Sequence, residues 1–139
     1  MAQTHKNRIV PLLFALLCAA SLVVMVRSAF VGLEIDEEYA LSLGYRLVSG
    51  DRLFYSMWEP HQLSSLPAAA LLAVFIGITG GTTGVLVFFR LVVLVCKAGM
   101  SYVFYREFRR DLGRPAALLA ALVLFAFVPK WFLGPDYTG

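Results

Sequence analysis

The run LLFALLCAASLVVMV lies inside residues 9–31, a stretch long enough to take a helix across the hydrocarbon core of a bilayer, which needs about 20 mostly apolar residues. Three more apolar runs follow at 63–80 (LSSLPAAALLAVFIGITG), 85–105 (VLVFFRLVVLVCKAGMSYVFY) and 115–133 (PAALLAALVLFAFVPKWFL). A chain of 139 residues that commits so much of its length to such runs keeps too little polar sequence to surface a water-soluble globule. Composition agrees: 15% of residues are charged, against roughly 25% in an average soluble domain. The expectation is an all-α polytopic membrane protein.

His5, Lys6 and Arg8 ahead of the first run resemble the basic start of a signal peptide. The run is too long for an h-region and has no small-x-small cleavage site, and Leu17 makes Cys18 a poor lipoprotein site. Residues 9–31 therefore read as a retained first crossing. The net charge of +3 does not point to nucleic acid, because the basic residues sit in short clusters beside apolar runs. Cys18 and Cys96 both fall inside apolar runs without a CxxC or metal-ligand partner, and read as packing residues.

Charge then chooses the topology. If all four runs cross, only Lys6 and Arg8 face the cytoplasm, while Arg46, Arg52, Arg106, Arg109, Arg110 and Arg114 lie outside. That inverts the positive-inside rule. If 63–80 folds back or lies at the interface, the four arginines of REFRRDLGR, 106–114, join the N-terminus in the cytoplasm. The expected architecture is three crossings (9–31, 85–105 and 115–133), a long outer loop over 33–84 and a cytoplasmic basic loop over 106–114. Four crossings are the alternative. Pro67 and the Gly-rich GITGGTTG suit a re-entrant or interfacial segment; the latter lacks the Lys-Ser/Thr of a phosphate-binding loop and reads as a turn.

The outer loop holds most of the chemistry. In IDEEYALSLGYRLVSGD, Asp36 predicts a helix cap, Glu37 and Glu38 favour the positive end of the helix dipole, and Gly50 predicts the stop. Leu41, Gly44, Tyr45 and Val48 recur at helical spacing, so an amphipathic helix on the membrane surface is expected. Local pattern leaves two readings of the acids open. They cap the helix, or a carboxylate beside the bilayer serves as a general base or metal ligand.

The order of elements resembles a known family. A first crossing followed by Asp-Glu, YAL, GYRLVSGD and the aromatic FYSMWEPH is similar to the opening of the GT-C membrane glycosyltransferases, nearest to the family 39 type that includes protein O-mannosyltransferases and lipid A aminoarabinose transferases. FFRLVVLV resembles that family's entry into its second crossing, and YREFRRDLGRPAALLAALVLF its basic turn and third crossing. The resemblance runs in order along nearly the whole chain.

It implies transfer of a sugar from a polyprenyl-phosphate donor to a hydroxyl acceptor outside the cytoplasm, with Asp36 as base and Glu37 assisting. Glu59, Pro60 and His61 stand in place of an acidic-Lys-Pro-Pro element, which would set His61 near donor phosphate; a structural histidine is the competing reading. Phe54, Tyr55 and Trp58 stack on a sugar or, more simply, form an interfacial aromatic belt. Arg90 and Lys97, seven residues apart in the second crossing, need partners at membrane depth, either lipid phosphate or the acids above. Asp136 in GPDYTG is a second acidic site or an ordinary turn residue, and a divalent metal between Asp36 and Asp136 is left open. Family members are several times longer, so the chain is expected to be the N-terminal portion of such an enzyme in the plasma membrane. The competing class is a non-catalytic membrane subunit or a lipid-linked-sugar translocation component; a small-solute transporter ranks below it, since no repeat with discontinuous helices is visible.

Overall fold

The computed structural model describes residues 2–32, 35–60 and 62–127, with side chains for 11–32, 37–60 and 62–127. The described residues are all helical apart from turns and one isolated bridge between Leu53 and Met57. α1 spans Ala2–Ser28, α2 Ile35–Val48, α3 Ser65–Thr79, α4 Val85–Phe108 and α5 Arg114–Ala126, with a single 3-10 turn, Gln62–Ser64, ahead of α3. Three stretches, Pro11–Ser28, Gln62–Thr79 and Val85–Phe108, are long and apolar enough to span a bilayer. Only 6% of Pro11–Ser28 is buried within the protein, leaving leucines and valines such as Leu13, Leu17 and Val24 for lipid. The chain is an all-α polytopic membrane protein.

Two of these coincide with crossings chosen by charge, and the third is the run expected to fold back. The run expected to fold back forms 18 residues of apolar helix. Pro67 does not break it, because it sits in the first turn of α3, where a missing N–H has no intrahelical partner to lose. The described part of 115–133 is α5, 13 residues and about 20 Å long, with 128–133 outside the described residues. Charge counting governs orientation and is blind to helix length. The Gly-rich stretch does act as a turn: Gly80 takes φ 73° at the end of α3 and its N–H donates to the carbonyl of Ile76.

The chain forms two compact units, one of α1 with the segment from Leu94 through α5, the other from Ala29 to Val93. In the first, Ala117, Ala121 and Phe125 recur every four residues along the buried face of α5. In the second, α2 packs against α3, and Ala68, Leu72 and Phe89 form a core joined by Leu41, Ile76, Val85 and Phe88. Phe75 and Phe88 meet there with ring centroids 5.0 Å apart.

α2 ends as expected. Gly50 has φ 104°, its N–H donates to Leu47 O, and Asp51 N–H donates to Arg46 O, the paired bonds of a Schellman stop. Its start differs from expectation. The helix begins at Ile35, which places Asp36 inside the first turn rather than at the cap. Tyr45 and Val48 are exposed, and burial falls on Glu37, Ala40, Leu43 and Gly44. The reason is the approach of α3: a Cβ built on Gly44 would lie 3.1 Å from the Ala68 carbonyl carbon, the Ala68 Cβ and the Ala69 nitrogen. Two of those three atoms are backbone and cannot step aside. Gly44→Val is expected to destabilise this helix pair by about 1–3 kcal/mol, the usual cost of overpacking, read as a lowered thermal midpoint in detergent; an unchanged midpoint removes the close approach.

Candidate functional site

The site grows from one buried ion pair. Arg90 stands in the second turn of α4, 2% exposed, and Glu37 in the first turn of α2 is fully buried. Arg90 Nε donates to Glu37 Oε1 at 2.9 Å, and Nη2 donates to Glu37 Oε2, a bidentate fork on one carboxylate. The remaining N–H groups turn to the corner that follows α1: Nη2 donates to Gly32 O at 2.9 Å, and Nη1 to Val31 O at 3.1 Å and Ala29 O at 3.3 Å. Guanidinium has five N–H donors. All five are used.

This answers why a charge is tolerated in an apolar helix. Carbonyls beyond the end of a helix have no partner inside it, and in lipid they have no water either. Arg90 supplies donors to three such carbonyls and to the one acid that balances its charge. Gly32 with φ 73° lets the chain turn so that its carbonyl joins the set. Of the two partners expected for Arg90, the structure shows the acid, and in this arrangement no donor remains for a lipid phosphate. Glu37 likewise has both oxygens engaged.

Asp36 precedes Glu37 in the first turn of α2, with its side chain outside the described residues; His61 and Asp136 lie outside them entirely. Lys97 is not brought to Arg90. Its Nζ donates to Phe127 O at the end of α5, where a cation meets the negative end of the helix dipole. Among the described residues no three His, Cys, Asp or Glu side chains gather into a metal-ligand set.

Glu59 belongs to a second cluster that reasoning from sequence missed, centred on Arg46. Arg46 Nε donates to Asp51 Oδ2 at 2.6 Å, Nη1 to Glu59 Oε1 at 2.7 Å and Nη2 to Ser56 O at 2.7 Å. The bond to Asp51, with the charges of Glu59 and Asp51, raises the guanidinium above its ordinary value. Arg46 and Asp51 are five apart, outside the i,i+3 and i,i+4 pairs of a helix, and only the turn at Gly50 folds Asp51 back. Glu59 Oε2 is buried without a partner among the described residues. The cluster ties down a loop whose tip exposes Phe54, Tyr55 and Trp58, the last 82% exposed. Phe54 holds φ 60°, rare for a residue with a side chain, and its N–H donates to the buried Gln62 Oε1 at 2.6 Å.

Comparison with known proteins finds no matching family model, no similar curated protein and no similar solved structure. A functional reading therefore rests on the chain's own residues.

Proposed function

We propose that this chain is part of a GT-C-like membrane transferase that moves a sugar from a polyprenyl-phosphate donor to a hydroxyl acceptor on the extracytoplasmic face of the plasma membrane, with its N-terminus in the cytoplasm. The observation that carries the reading is the Arg90–Glu37 pair, which anchors the first turn of α2 to the corner after the first apolar helix. A base must be held still to meet its proton. Glu37 is spent on that anchoring, and the adjacent Asp36 is the acid that takes the acceptor proton. As the acceptor oxygen bonds to the anomeric carbon, the bond from that carbon to the phosphate oxygen breaks and polyprenyl phosphate leaves. Glu37 on this reading is a positioning residue.

The test is transfer of labelled sugar by membranes carrying the protein expressed from its source reading frame, with polyprenyl-phosphate sugars as donors. Failure with every donor, in membranes where the protein is present and folded, rejects the reading. A specific observation favours a second reading as well: Glu37 and Glu59 both spend oxygens on arginines, as acids do in a purely structural role. A non-catalytic subunit or a lipid-linked-sugar translocation component needs no free base, and it survives loss of Asp36.

Orientation is checked separately. With Cys18 and Cys96 replaced, a single cysteine at Ser49 is expected to react with an impermeant thiol reagent from outside, and one at Asp111 only after permeabilisation. Reaction of both from outside means that 63–80 crosses and puts the arginine-rich turn on the outer face.

A further inference from the structure

A groove of about 410 Å³ opens between α1, α4 and α5, within the range of small-ligand sites. Its walls are apolar, with Pro11, Phe14 and Cys18 from α1 and Leu118 from α5, while Tyr105 and Arg114 bring a hydroxyl and a positive charge. Arg114 opens α5 and closes the turn that carries Arg109 and Arg110, with Arg106 in the last turn of α4. Arg106 is paired with Glu107. The guanidinium groups of Arg109, Arg110 and Arg114 have no hydrogen-bond or ion-pair partner among the described residues. That contrasts with Arg46 and Arg90, whose donors are occupied by the protein itself.

We infer that this groove binds an anionic phospholipid, an acyl chain lying along Phe14, Cys18 and Leu118 and the headgroup phosphate on Arg114. Charge complementarity selects this occupant. An uncharged apolar helix would fill the same walls but leave the arginine unmatched, and a zwitterionic lipid would offer its phosphate only together with a cation. Basic side chains beside a membrane are attracted to an anionic lipid surface. Nothing in this inference depends on the transferase reading or on Asp36.

Native mass spectrometry of the protein released from detergent tests it, with phosphatidylglycerol and phosphatidylcholine as probes. Phosphatidylglycerol is expected to be retained about five-fold over phosphatidylcholine, and Arg114→Gln to bring the two close to equality. Ala15→Trp places a large ring in the groove from an exposed position on α1 and is expected to remove the bound lipid while leaving the fold intact. A phosphatidylglycerol bearing a photoreactive acyl chain is expected to label Phe14, Cys18 or Leu118. Equal retention of the two lipids, labelling confined to other faces, displacement by inorganic phosphate alone, or protein dimers joined by a disulfide through a cysteine substituted for Ala15 would each overturn the assignment.

Discussion

Arg90→Ala and Glu37→Ala are each expected to destabilise the protein by about 3–5 kcal/mol, because either change leaves its partner as an unpaired charge in a buried site. The loss should appear as a large drop in the thermal midpoint in detergent, followed by helical circular dichroism. Arg90→Lys should rescue little. An ammonium presents three donors from one point and cannot span both oxygens of Glu37 and the carbonyls of Ala29, Val31 and Gly32. The double change Arg90→Met with Glu37→Leu removes both charges, so it should recover part of the loss; the three carbonyls still lack a donor. A different outcome identifies a different role. If Arg90→Ala leaves stability within about 0.5 kcal/mol, the range of an ordinary surface change, yet raises the KM for a polyprenyl-phosphate donor, then Arg90 binds substrate and the pairing with Glu37 is incidental.

Asp36→Asn is expected to lower sugar transfer by about 10²- to 10⁴-fold, the usual contribution of a positioned base. Stability should change by no more than about 1 kcal/mol, the worth of an acidic charge in the first turn of a helix. The separation of the two effects matters, because Glu37 stands next to Asp36 and its loss disturbs the fold. Rates are therefore compared at equal amounts of folded protein, with Glu37→Gln as the companion variant. Full transfer by Asp36→Asn would reduce Asp36 to a charge at a helix start and favour the non-catalytic reading. Loss of transfer in both variants, with only Glu37→Gln unstable, would separate the base from the residue that positions it.

Much of the architecture was legible in the sequence because it is local. An apolar run long enough to span hydrocarbon must become a helix, since lipid offers no other partner to its backbone, and the runs at 9–31 and 85–105 did so. The stop of α2 at Gly50 and the turn around Gly80 were equally readable, because only a residue without Cβ takes those backbone angles at little cost. Orientation by charge proved a separate matter from length: it marked 63–80 as the segment that folds back, and that segment forms an apolar helix long enough to cross. What the sequence by itself determined is a helical membrane protein most of whose acids lie between its first two apolar stretches. Tertiary structure alone decided which charges meet. A lone arginine in an apolar helix announces the need for a partner, but the partner of Arg90 lies 53 residues away, and the face of α2 that turns inward was set by how closely α3 approaches Gly44. Both depend on contacts distant in the chain, and periodicity within one segment carries no record of them.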